Sequence, residues 1–164
     1  VFRTIHDEVC KGNLEKVKSI LDQKIDINEK DSFGSSPLHY AARNSHTDII
    51  KILLEGKADV NIKDKHGFTP LHEAVNSAMA KTIPILLDYK ADLNIKDHYQ
   101  NTPIDILEGR LEKPEILSII QKEVEYKKEK ELFHKQKQTL IFGLNNKSTS
   151  TPSKKYLCIQ CGSL

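Results

Sequence analysis

The chain is expected to fold as an all-α solenoid. Stacked helix-turn-helix units are joined by short β-hairpin loops and followed by a charged helical extension and a disordered tail. Three observations predict this. First, Ile25-Asp26-Ile27-Asn28-Glu29-Lys30-Asp31 recurs as Ala58-Asp59-Val60-Asn61-Ile62-Lys63-Asp64 and as Ala91-Asp92-Leu93-Asn94-Ile95-Lys96-Asp97, each step being 33 residues. Second, Ser36-Pro37-Leu38-His39 returns at the same spacing as Thr69-Pro70-Leu71-His72 and Thr102-Pro103-Ile104-Asp105, with a degenerate copy at Thr4-Ile5-His6. Third, an apolar triplet of helical spacing repeats in phase with both phrases. Self-similarity at a fixed period of this length marks stacked repeats rather than one closed core.

Each element of the unit has a local reason. Thr69 suits an N-cap, where its hydroxyl accepts from a first-turn amide. Pro70 fits the next position, where a missing N–H costs nothing. Gly34 and Gly67 suit a turn with positive φ. Small Ala41, Ala42 and Ala74 let neighbouring first helices approach closely. The second helix carries the apolar stripe: Val17, Ile20 and Leu21, then Ile50, Leu53 and Leu54, then Ile83, Leu86 and Leu87, then Ile116, Ile119 and Ile120. One unit cannot bury such a stripe alone, so at least three must stack.

The segment Asp64-Lys65-His66-Gly67-Phe68-Thr69-Pro70-Leu71-His72-Glu73-Ala74 resembles the ankyrin repeat motif nearly intact. The resemblance covers residues 1 to about 121, with repeats at about 1–30, 31–63, 64–96 and 97–121. A charged helical extension is expected over 122–138 and a flexible tail over 139–164. The end repeats read as caps. Glu8 stands where the inner repeats have Ala41 and Ala74, a carboxylate expected to face no earlier repeat. In the fourth repeat Gln100 replaces the turn glycine, Asp105 the histidine, and Glu108 stands at the Ala42 position. The domain is therefore read as complete at four repeats.

Three departures from the family pattern stand out. Lys24, Lys57 and Lys90 occupy the place of a glycine after the second helix. Either the backbone there is left-handed, at about 1 kcal/mol per lysine, or the cap geometry has shifted. Pro84 falls in the second helix of repeat three and is expected in its first turn. Asn76-Ser77-Ala78-Met79 replaces the usual interhelix turn, and repeat three is expected to be the least regular.

Composition narrows the function classes. No apolar run reaches the ~20 residues of a membrane span, and no signal-like stretch opens the chain. Three cysteines make no disulfide framework, and Cys10 reads as a small apolar helix residue. An intracellular protein, cytoplasmic or nuclear, is expected. Residues 1–121 carry 16 Lys/Arg against 19 Asp/Glu, which argues against nucleic-acid binding through the repeats. Residues 122–164 carry 9 against 4, a basic tail read as a solvated charge run. Glu123–Lys127 and Glu131–Lys135 support an exposed helix. Leu132, Phe133, Leu140, Ile141 and Phe142 form an apolar cluster, expected to fold back over the end of the stack or to serve as a linear motif. Thr151, before Pro152, is a phosphorylation-site pattern. Cys158 and Cys161 supply half of a tetrahedral zinc site, without a second half before Leu164.

No catalytic constellation is present, and no cofactor is implied. The chain is not expected to be an enzyme. The resemblance gives His39 and His72 a structural role, in their own turn and toward the next repeat. It also implies a concave face, lined by hairpin tips and first helices, that binds another protein. Carried over by position, the contacts are Phe33, Tyr40, Arg43, Lys65, His66, Phe68, Glu73, Asn76, His98 and Tyr99. Asn28, Asn61 and Asn94 stand where intracellular family members are often hydroxylated. A protein-interaction module is expected, adaptor or inhibitor, monomeric by itself. The alternative is a regulatory or targeting domain of a larger enzyme or zinc-containing protein.

Overall fold

A computed structural model describes residues 4–108 and 114–147, and the chain divides into two compact units at Val124/Glu125. Each unit is described by itself. In the first, helices alternate between two layers. The first-helix layer holds α1 (Ile5–Cys10), α3 (Pro37–Arg43), α5 (Pro70–Asn76) and α7 (Pro103–Glu108). The second holds α2 (Leu14–Leu21), α4 (Thr47–Glu55) and α6 (Thr82–Asp88), and α8 (Pro114–Lys147) begins in this unit. α3 packs between α1 and α5, α5 between α3 and α7, and α4 between α2 and α6. The chain thus stacks one repeat on the next.

The apolar stripe is the spine of the stack. Val17, Ile50, Leu53, Ile83 and Leu86 are fully buried, and Ile116 and Ile120 of α8 join the same core. Ala41, Ala42 and Ala74 have no exposed surface, which fits close packing between first helices. The connecting loops are tight turns, and no strand forms among the described residues. Successive tips are still joined: the Lys65 N–H donates to the Phe33 carbonyl (3.1 Å) and the His98 N–H to that of His66 (2.9 Å).

The backbone repeats its unusual torsions with the sequence period. Positive φ occurs at Gly34, Gly67 and Gln100, and at Lys24, Lys57 and Lys90. The three lysines are therefore left-handed, which settles the choice left open by the sequence. A Cβ at Gly34 would meet the Lys65 backbone nitrogen at 2.9 Å, and one at Gly67 that of His98 at 2.9 Å. No further tip follows that of Gln100 among the described residues, so a side chain is accommodated there.

Pro84 sits third in α6, within the first turn. That helix begins two residues later than the alignment with α4 would place it. Repeat three is accordingly shorter in its second helix, with seven residues against nine.

Glu8, at the first repeat, is 1% exposed and ion-paired with Lys11 (3.5 Å) and Lys16 (3.7 Å). Two expectations change. Cys10 is exposed rather than packed, because its side of α1 lies off the apolar stripe. α8 continues to Lys147, past residue 138 into the segment read as flexible. In the second unit Leu132 and Phe133 are 58% and 68% exposed. Thr151, Cys158 and Cys161 lie outside the described residues.

A groove between the second and third repeats

Each tip is built around an aspartate. Asp31 Oδ1 accepts the Phe33 and Ser35 amides at 2.8 and 2.9 Å, Asp64 Oδ1 those of His66 and Phe68, and Asp97 Oδ1 those of Tyr99 and Asn101. These side-chain turns present Phe33, His66 and Tyr99 to solvent, with Phe33 and Tyr99 64% and 70% exposed.

The turn histidines fix the tips to the helices. The Ser36 N–H donates to His39 Nδ1 (3.1 Å), so that nitrogen carries no proton. Nε2 is then the protonated one and donates to the Phe68 carbonyl (2.9 Å) of the next repeat. His72 repeats this with the Thr69 N–H (3.1 Å) and the Asn101 carbonyl (3.3 Å). Burial lowers the pKa of both rings. Neither ring is placed to act as a base. Asp105, the substitute in repeat four, accepts the Thr102 amide and hydroxyl at 2.7 Å and so still caps its helix.

Between repeats two and three lies a groove of about 370 Å³. Phe33 and Ser35 line it from one tip and Asp64, His66 and Phe68 from the next. Tyr40 and Arg43 reach it from α3, and Glu73, Asn76 and Ser77 from α5. The Arg43 guanidinium donates to Glu73 through Nε (2.9 Å) and Nη2 (2.6 Å) and lies 5.4 Å from the Tyr40 ring centroid. The hydrogen bond to Glu73 raises the Arg43 pKa. The Tyr40 hydroxyl donates to Asp31 Oδ2 at 2.6 Å, which, with burial, pushes its pKa up to about 12. Burial works to raise the Asp31 pKa. The bonds from Tyr40, Ser35 and Phe33 outweigh that and lower it. Phe68 stacks on His72 with ring centroids 5.6 Å apart.

Of the contacts expected from sequence, the groove gathers Phe33, Tyr40, Arg43, His66, Phe68, Glu73 and Asn76. Lys65, His98 and Tyr99 lie outside it, and the Lys65 ammonium donates to the Ser32 carbonyl (2.7 Å). Glu73 is buried and committed to Arg43. Asn28 and Asn61 bridge repeats, their Oδ1 atoms accepting the Asp59 and Asp92 amides at 2.9 Å. Asn94 stays within its own turn, its Nδ2 donating to Asp92 Oδ1 at 3.0 Å. Sequence reasoning missed Asp64 and Ser77 as lining residues. The recurrence of aspartate at 31, 64 and 97 was the signal for the former. Among the described residues no His, Cys, Asp and Glu group converges to hold a metal, and no helix is long and apolar enough to cross a membrane.

A family model described as ankyrin repeats, in three copies, matches residues 5–97, more than half of the chain. The chain belongs to the ankyrin repeat family. Among curated proteins it is similar to the potassium channel AKT1 of Arabidopsis thaliana, 40% identical over 45 residues. It is similar to the same extent to protein phosphatase 1 regulatory subunit 27 of Homo sapiens and of Mus musculus. Each alignment covers 27% of this ankyrin chain, and it spans only 5% of the channel and 29% of the regulatory subunits.

Proposed function

We propose that this ankyrin chain is a protein-binding module that docks a partner on its concave face, with the groove between repeats two and three as the centre of contact. The groove itself carries the reading. Exposed Phe33 and His66 flank a polar floor that the Arg43–Glu73 pair holds rigid. Aromatic residues and arginine in a pre-formed concavity are the usual makings of an interface hot spot. Ankyrin repeats generally bind other proteins, and His39 and His72 are occupied structurally, so the reading is non-enzymatic.

Affinity capture from cell lysate tests it. Wild type is compared with a variant carrying Phe33→Ala, His66→Ala and Tyr99→Ala, all exposed residues, with folding checked by circular dichroism. A partner retained by wild type and lost by the variant is expected. Equal retention by both would move recognition off this face.

A second reading makes the stack a regulatory or targeting domain of a longer protein. The match to a short part of a much longer channel favours it. Transcript sequence continuing past Leu164 or upstream of Val1 into a catalytic or zinc-binding domain would support that reading, and a complete reading frame with no such domain on either side would remove it.

A further inference from the structure

Resting on the reading of the groove as a docking site, we propose that its occupant is a basic side chain of the partner, arginine or lysine. The cation lies over the exposed Phe33 ring and pairs with the Asp64 carboxylate.

The repeat is broken at the second tip. Asp31 and Asp64 are equivalent, and each uses Oδ1 to accept two amides of its own tip. At Asp31 the other oxygen accepts the hydroxyl of Tyr40. The residue equivalent to Tyr40 one repeat on is Glu73, which has no proton to give at neutral pH and is bound to Arg43. Among the described residues, Asp64 Oδ2 therefore receives neither a hydroxyl nor an ion pair, and the residue lines the groove.

Charge balance selects the sign of the ligand. Arg43 and Glu73 neutralise one another through two hydrogen bonds. Lys65, next to Asp64 in the same tip, turns its ammonium to the Ser32 carbonyl of the neighbouring tip. Asp64 at the groove, and Asp31 behind Tyr40, make no ion pair among the described residues; Arg43 feels the Asp64 charge but gives its hydrogen bonds to Glu73. The exposed Phe33 ring suits the same ligand, because the face of an aromatic ring attracts cations, as Arg43 over Tyr40 shows in the same groove. A carboxylate ligand would meet Arg43 already occupied and Asp64 repelling it.

Random dodecapeptides displayed on phage would be selected against the full chain. The consensus peptide would then be titrated by fluorescence anisotropy against wild type, Asp64→Asn and Ser77→Lys. Asparagine keeps the Oδ1 acceptor for the two amides and removes only the charge. Ser77→Lys brings a competing cation to the groove without touching the tip, and thermal melts check that both variants fold. We expect Arg or Lys at one fixed peptide position, about tenfold weaker binding by either variant, and weakening with added salt. Peptides lacking a basic residue, or basic peptides bound equally by wild type and both variants, would overturn the inference. If such peptides were still lost on Phe33→Ala, docking in the groove would stand and only the ligand's charge would be wrong. Ligands indifferent to Phe33→Ala as well would remove both.

Discussion

Lys24, Lys57 and Lys90 each hold a conformation that suits glycine, with φ between 57° and 71°. Replacing any one by glycine is expected to raise stability by about 1 kcal/mol, read from urea unfolding. No gain at any of the three would show that the lysine stems contribute as much packing as the strain costs. A second prediction concerns the Arg43–Glu73 pair. Arg43→Met leaves a buried carboxylate without its two donors and should cost about 2 kcal/mol. Adding Glu73→Leu removes the stranded charge and should recover most of that loss. A double variant no more stable than the single one would mean that the pair's burial has another origin.

The histidines make a pH prediction. Burial lowers the pKa of His39 and His72 in the folded chain, while the unfolded rings titrate near the ordinary 6.5. Below that value the unfolded state binds more protons than the folded one. The stability these rings contribute is therefore present above about pH 6.5 and is lost as pH falls toward their lowered folded values. Protonating Nδ1 would also replace its acceptor role toward the Ser36 or Thr69 amide with a clash of donors. Melting temperature should be flat from neutral upward and fall on acidification. A double His39→Gln, His72→Gln variant should show a shallower fall between pH 6.5 and 5. An unchanged slope would place the acid sensitivity elsewhere.

At the scale of elements, α6 is the weak helix of the stack. It has seven residues, opens on Lys81 in a helical conformation, and carries Pro84 in its first turn. α4 has nine residues in the equivalent place. Amides of Leu86 and Leu87 are expected to exchange about tenfold faster than those of Leu53 and Leu54, a gap of about 1.4 kcal/mol. Equal protection would mean that the stack opens as one unit and the shorter helix is not felt. The existence of this element was legible from the apolar triplet, and its irregularity from Pro84. Its late start was less so, because the alignment of Pro84 with Lys51 fixes the residue but not which carbonyl begins the helix.

For the whole molecule, the 33-residue period carried most of the information. Whatever the copies share, such as the tip aspartates, the turn histidines and the buried stripe, could be read by superposing the sequence on itself. Pairings between unlike residues of adjacent repeats could not. Arg43 with Glu73, and Glu8 with Lys11 and Lys16, have no equivalents one repeat away, so self-comparison gives no sign of them. That is why Glu73 read as an outward contact. The same limit hid the groove's charge balance, which arises from a Tyr-to-Glu change between two copies. In a stack whose repeats touch only their neighbours, such differences give one position along the face its own chemistry.

Photo-crosslinking tests most directly whether the groove is where this protein meets its partner. A benzoylphenylalanine would replace Phe33 at the groove, Lys51 on α4 outside it, or Phe133 in the second unit, and each variant would be irradiated in lysate. The account predicts a discrete adduct from position 33 and none from positions 51 or 133. An adduct from position 51 or 133 with none from 33 would contradict it.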